Sequence, residues 1–323
     1  DGEEVGIRQV EVRGHCILPF RLDLLPCSSH RRDRAIPARP DAKRRVAGMW
    51  FVKIVLVLVV VYAVVAALMY GAQTRLLFPT RLAAGSEPLL PAASERVEVV
   101  VPDGTRLRGV RIPPSHPRTG ERLILLGFGG NAWNADNVAL YLHGLFPEAE
   151  AVAFHYRGYL PSEGRPSAAA LLADAPSLYD HIVGAGEESL RIVAVGFSIG
   201  TGVAAAVARH RPLAGLILVS PFDSLRAVAA DLYPWLPVRW LLRHRMPTAE
   251  LLRGLDVPTA VIAAERDSIV PPRRTAALRS SIRNLVFDRT IPGAGHNDLY
   301  GRAAFGAAMT EALQRVEAAP ALG

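Results

Sequence analysis

Apolar positions along this chain fall into two patterns. One long run comes first: residues 54–70 are unbroken apolar sequence, and Trp50 and Phe51 extend it with only Lys53 between. Roughly 20 such residues are needed to cross a bilayer, so the run predicts one transmembrane helix. Short runs follow. Val97, Val99 and Val101 fall at every second position, Asp103-Gly104 supplies a tight turn, and Leu107 and Val110 return, which predicts a β-hairpin over 96–112. Beyond Pro113-Pro114, apolar stretches at 123–126, 151–156, 192–195, 215–219, 259–263 and 285–291 read as buried strands. Helical stretches such as 167–183 and 273–281 lie between them. A hairpin followed by strand–helix alternation implies an α/β fold, a mostly parallel sheet with helices on both faces.

In such sheets active sites gather at the carboxyl ends of the strands, and three strand ends here carry chemistry. The run 192–195 leads into Gly196-Phe197-Ser198-Ile199-Gly200 and then into an Ala/Val-rich helix. A sharp strand-to-helix turn forces its central residue into strained dihedrals, and glycines on either side remove the Cβ atoms that would clash. The serine then stands above the sheet at a helix start, where backbone N–H groups favour developing negative charge. Ser198 is therefore expected to be a nucleophile. The run 123–126 ends in Gly127-Phe128-Gly129-Gly130-Asn131, whose small residues let backbone N–H groups approach an oxyanion; Asn131 and Ile199 are the expected donors. The run 259–263 ends in Glu265-Arg266-Asp267-Ser268-Ile269-Val270-Pro271. Asp267 is the expected acid because the residues after it fix its loop. Asp223 is its competitor, and Glu265 reads as solvated or as a loop hydrogen-bonder. The run 285–291 ends in Pro292-Gly293-Ala294-Gly295-His296, a loop free to aim its histidine. His296 completes the chain order Ser…Asp…His, whereas His143, His155 and His244 read as structural.

Together these motifs resemble the α/β-hydrolase superfamily. Four further stretches resemble, more narrowly, the membrane-anchored serine hydrolases of the bud-emergence type, relatives of α/β-hydrolase-domain depalmitoylases. They are Tyr156-Arg157-Gly158-Tyr159, Ser162-Glu163-Gly164-Arg165-Pro166-Ser167, Tyr233-Pro234-Trp235-Leu236-Pro237-Val238-Arg239 and the loop ending at Leu299. The resemblance implies Ser198, Asp267 and His296 as nucleophile, acid and base, with oxyanion donors at Asn131 and Ile199. In two places the chain departs from that pattern. Gly129 stands where the family usually has histidine, and Leu160 where glycine is common.

The remaining composition narrows the partners. The 323 residues carry a formal net charge of +7, but the cations are nearly all arginine and are scattered beyond the amino terminus, so no nucleic-acid partner is expected. Cys16 and Cys27 both precede the apolar run, which leaves no cysteine metal site in the rest of the chain. The expected organisation is a disordered tail or over-extended translation start over 1–48 (Met49 is the first methionine) and an anchor over 49–71. A connector over 72–94 and a catalytic domain over 95–318 follow, with a cap at about 224–256. A cleaved signal peptide would have a shorter apolar region and a small-x-small site, and none follows Tyr70. Lys43, Arg44, Arg45 and Lys53 before the span, against Arg75 and Arg81 after it, place the catalytic portion on the non-cytoplasmic side. The expected activity is cofactor-free, metal-free hydrolysis of an ester or thioester of a lipophilic acyl substrate, a lipid or a lipidated protein, through an acyl-enzyme (the EC 3.1 class). A non-catalytic scaffold on the same fold and a serine peptidase are the alternatives.

Overall fold

A computed structural model describes residues 42–84, 88–184 and 190–319. Most of the expected amino-terminal tail, with Cys16 and Cys27, lies outside the described residues. Helix α1 (Ala42–Leu77) carries the long apolar run and is the one described helix long and apolar enough to cross a membrane. It continues past residue 71, where the sequence suggested a connector, because Ala-Gln-Thr-Arg-Leu-Leu after Gly71 are adequate helix formers. Pro79 stops it, since the residue before a proline is pushed out of helical dihedrals. The next residues enter the protein: Phe78 is 2% exposed and Ala83 of the short α2 (Thr80–Ala83) is also buried.

The compact unit that holds the sheet runs Leu58–Gly323 and so includes the carboxyl-terminal part of α1. Its first strands, β1 (Glu95–Val100) and β2 (Arg106–Ile112), form the antiparallel hairpin, turning at Gly104 with φ +84°. Strand–helix alternation follows in chain order as β3 (Arg122–Phe128), α3 (Ala135–Leu145), β4 (Glu150–Phe154), α4 (Ala168–Val183), β5 (Leu190–Phe197), α5 (Gly200–His210) and β6 (Gly215–Val219). Between β6 and β7 (Thr259–Ala264) the chain makes three short helices, α6 (Leu225–Leu232), α7 (Val238–Leu241) and α8 (Thr248–Leu252). Helix α9 (Pro272–Arg279), β8 (Leu285–Ile291) and α10 (Ala303–Ala318) complete the unit.

The sheet has eight strands in the order β1-β2-β4-β3-β5-β6-β7-β8, and every pair from β4 to β8 is parallel. Period-two alternation sends side chains to both faces, and both faces are covered. Ile124, Leu126 and Phe128 pack with α4, α5 and α6 on one side. Leu123, Leu125, Val193 and Val195 pack with α3 and α10 on the other. Side-chain oxygens of Asn134, Ser167 and Ser224 cap α3, α4 and α6 by accepting backbone N–H groups that a helix start leaves unpaired. A charge cluster around buried Asp136 ties the hairpin to α3. Asp136 accepts from Arg96 at 2.6 Å and faces His155 at 3.4 Å. Burial pushes the Asp136 carboxyl up, but the bonds from His155 and Arg96 outweigh it and hold the group below the usual carboxylate range.

The strand order reverses beside β3. From there the chain steps to β4 on one side and afterwards to β5 on the other, which opens a crevice at the carboxyl ends of β3 and β5. The Gly129-Gly130-Asn131 loop and Ser198 leave the sheet at that crevice.

Candidate active site

Ser198 follows the last residue of β5 and has φ +52°, a left-handed conformation that costs a non-glycine residue on the order of 1–3 kcal/mol. Its surroundings enforce the strain. The Ser198 N–H donates to Val219 O of β6 at 2.8 Å, and the Thr201 hydroxyl donates to Ser198 O at 2.6 Å, so the turn is fixed from both sides. Gly200 has no alternative, since a Cβ there would lie 2.1 Å from the carbonyl oxygen of Phe128 on β3. The elbow thus depends on α5 approaching β3 more closely than any side chain permits.

Two other strand ends deliver their side chains to the same point. Asp267 follows β7 and His296 follows β8; both are buried, at 6% and 8% exposure. His296 Nδ1 lies 2.7 Å from Asp267 Oδ2, and His296 Nε2 lies 3.1 Å from Ser198 Oγ. The other carboxylate oxygen, Asp267 Oδ1, accepts from the backbone N–H groups of Ile269 and Val270 at 3.0 and 2.7 Å. This is how the Ile-Val-Pro stretch fixes the acid. The histidine loop is tied down by its neighbours: Gly295 N–H donates to Asp298 Oδ1 at 2.6 Å, and Arg302 pairs with the same carboxylate. Glu265 accepts from Gly293 N–H at 2.7 Å, so it holds the loop rather than the imidazole. Asp223, the competing acid, is engaged elsewhere, paired with Arg274 at 3.2 Å.

Asn131 and Ile199 border the same cavity as Ser198 and His296, and neither residue's backbone N–H bonds to another described residue. The loop around Asn131 is held through its carbonyls. Gly129 O accepts from the Tyr156 hydroxyl at 2.8 Å, Gly130 O from Trp133 N–H at 3.2 Å, and Asn131 O from the Tyr159 hydroxyl at 2.7 Å. Three consecutive carbonyls are therefore occupied, and the N–H of Asn131 has no partner among the described residues. Burial raises the pKa of both phenols, so they remain protonated donors.

Sequence reasoning used Tyr156-Arg157-Gly158-Tyr159 only as a family signature and missed this function. Its other two residues are equally constrained. Arg157 grips Asp174 through two bonds of 3.0 and 2.6 Å and reaches Asp103 at 2.5 Å, joining the hairpin turn to α4. Gly158 has φ +77°, and a Cβ there would meet Pro166 Cδ at 2.5 Å. Two tyrosines straddling an Arg-Gly turn just after β4 were the available signal, because β4 pairs with β3, whose exit is the loop they hold.

The cavity in front of Ser198 has a volume of about 370 Å³, and Trp133, Phe222, Leu225 and Ile269 contribute its apolar walls. Aromatic packing supports its floor: Trp133 meets Phe197 edge-on at 5.0 Å and tilts against Tyr300 at 5.1 Å. Among the described residues no group of three His, Cys, Asp or Glu side chains is arranged to hold a metal ion. A hydroxyl bonded to an imidazole that is itself bonded to a buried carboxylate is an arrangement suited to proton transfer during acyl transfer.

Fold and site together define the class, and comparison with known proteins agrees. No family model matches the chain. A protein of Mycobacterium tuberculosis, itself uncharacterised, is 37% identical over 258 residues, spanning 76% of this chain and 88% of its own length. The α/β-hydrolase domain-containing protein aho-3 of Caenorhabditis elegans is 28% identical over 212 residues, covering 65% of this chain and 63% of that protein. The lysophosphatidylserine lipase ABHD12 of Danio rerio is 32% identical over 176 residues, covering 49% of this chain and 45% of the lipase. Among solved structures, the α/β hydrolase GrgF of a Penicillium species superposes with a TM-score of 0.56 at 17% identity, over 71% of this chain and 98% of that one. An esterase of Pyrococcus furiosus gives 0.56 at 16% identity, over 73% and 92%. The chain belongs to the α/β-hydrolase superfamily.

Proposed function

We propose that the protein is a membrane-anchored serine hydrolase of the bud-emergence type that cleaves an ester or thioester of a lipophilic acyl group. The observation that carries this reading is the continuous hydrogen-bonded series from Asp267 through His296 to Ser198, at 2.7 and 3.1 Å. In the first half-reaction His296 Nε2 accepts the Ser198 hydroxyl proton as Oγ attacks the acyl carbon. Asp267 keeps the Nδ1 proton in place and stabilises the imidazolium that forms. The N–H groups of Asn131 and Ile199 bind the tetrahedral oxyanion, whose negative charge also benefits from the start of α5. The imidazolium then gives its proton to the departing alcohol or thiol, leaving an acyl-Ser198 ester. Water attacks that ester with the same base, releasing the carboxylic acid and restoring the serine.

Purified protein is expected to turn over p-nitrophenyl butyrate, and replacing His296 with Ala should remove that turnover. Absence of hydrolysis on both this ester and its thioester counterpart would contradict the reading.

Anchoring by α1 is the second part of the proposal. The helix has 36 residues, and its apolar portion is long enough for a hydrocarbon core of about 30 Å. The charge asymmetry across the span supports a catalytic unit on the non-cytoplasmic side. The full-length chain is expected to stay with the membrane pellet after alkaline carbonate extraction; its release into the supernatant would contradict a spanning anchor.

A further inference from the structure

Beside the catalytic cavity lies a second one, of about 180 Å³, between the carboxyl-terminal part of α1 and the helices α6 and α7. We propose that it receives the distal part of a single linear acyl chain, belonging to a lipid ester drawn from the bilayer, while the ester carbonyl sits at Ser198. This inference rests on the hydrolase reading above.

Its lining is almost wholly apolar, with Met69, Leu76, Ala229, Leu236 and Leu241 among the walls. The amide of Gln73 also borders it, with both of its N–H groups and one lone pair of its oxygen already engaged. Its nitrogen donates to Tyr70 O at 2.8 Å and Leu241 O at 3.2 Å, and its oxygen accepts from Arg243 N–H at 2.8 Å. A cavity with so few polar groups in its walls takes hydrocarbon, because a polar ligand would lose most of its hydration without compensation.

The two cavities share a wall. Leu77, Leu225, Val228 and Leu232 line both, and the last three form one face of α6 at helical spacing. A chain leaving the acyl carbon at Ser198 therefore has to pass only that one layer of side chains to reach the second cavity. Its size sets the occupant, since an apolar cavity of about 150 Å³ accommodates benzene. The second cavity is therefore of the size to take a segment of one chain.

Position connects this groove to the bilayer. The Trp235 carbonyl accepts from the Tyr62 hydroxyl at 3.0 Å, and Tyr62 lies about 12 Å nearer the amino end of α1 than Tyr70 at 1.5 Å per residue. The tip of the cap therefore reaches along the apolar run of α1. Trp240 is 85% exposed and Trp235 50% exposed, and Arg243 stacks over the Tyr70 ring at 4.8 Å. Exposed tryptophans with a tyrosine–arginine pair are the residues that settle at a membrane–water boundary. The groove consequently opens at the depth where acyl chains begin.

A chain-length series with two obstructing variants tests this. On p-nitrophenyl butyrate and p-nitrophenyl laurate in mixed micelles, the wild-type protein is expected to have a kcat/KM roughly tenfold or more higher for laurate, since each further buried methylene adds to binding. Ala229→Trp should remove most of that advantage and leave butyrate turnover and melting temperature nearly unchanged. Leu241→Trp, on a different helix, should do the same, and it decides the matter if Ala229→Trp does not fold. In phosphatidylcholine vesicles carrying a monopalmitoyl lipid ester, release of palmitate should fall in the same variants. Equal effects of the obstructions on butyrate and laurate, or cleavage of an S-palmitoylated peptide but not of the lipid ester, would overturn the proposal. Failure of the wild-type protein to cleave even butyrate would instead reject the hydrolase reading on which it rests.

Discussion

Ser198→Ala is expected to lower kcat for ester hydrolysis by about 10⁶-fold, the loss found when the nucleophile of a serine hydrolase is removed from an otherwise intact site. The size of the effect follows from the division of labour. Without Oγ no acyl-enzyme forms, and His296 and the Asn131 and Ile199 N–H groups are left with only an unpositioned water to activate. The substitution is structurally mild. The bonds that fix the elbow use the Ser198 backbone N–H and C=O, which alanine keeps. KM for a short ester should therefore change little while kcat collapses. Steady-state turnover with active-site concentration checked by thermal melting is the appropriate measurement, and a loss smaller than about a hundredfold would indicate a different nucleophile.

Asp267→Asn should cost about 10⁴ in kcat. The asparagine oxygen can still accept from Ile269 and Val270 N–H, as Asp267 Oδ1 does at 3.0 and 2.7 Å, so the loop keeps its form. The amide nitrogen is then turned toward His296 Nδ1 and offers it a proton. The imidazole must accept there and carry its own proton on Nε2, facing the serine it is meant to deprotonate. Geometry is preserved and the tautomer is wrong. Asp223→Asn weakens a part-buried ion pair with Arg274 that touches neither His296 nor Ser198, and it should leave kcat within a few-fold. The opposite ranking of these two variants would transfer the acid's role to Asp223.

Much of the fold could be read from the sequence because its strands are buried on both faces. The run 215–219 is entirely apolar and coincides with β6, and Val97 and Val99 fall on β1, with Val101 one residue past its end. Local chemistry also marked the elbow, where Gly200 answers to a carbonyl 2.1 Å from its missing Cβ. What escaped was non-local. Gly71 and Pro79 looked like the punctuation of a connector, yet α1 runs through the first and packs beside α7. Nothing in the local sequence says that Thr74 will lie 2.8 Å from His244. The tyrosines at 156 and 159 were conspicuous, but their action on Gly129 and Asn131 appears only once β4 is placed beside β3. The groove between α1 and α6 is of the same kind, formed by two segments some 150 residues apart that no periodicity connects.

The central claim, that Ser198 is a nucleophile activated by His296, is tested most directly by treating the native protein with a fluorophosphonate and locating the adduct by peptide mass spectrometry. The account predicts one adduct per chain, on Ser198, and none in the Ser198→Ala protein. An adduct on any other serine of the wild-type chain, or persistent labelling of Ser198→Ala, would contradict it.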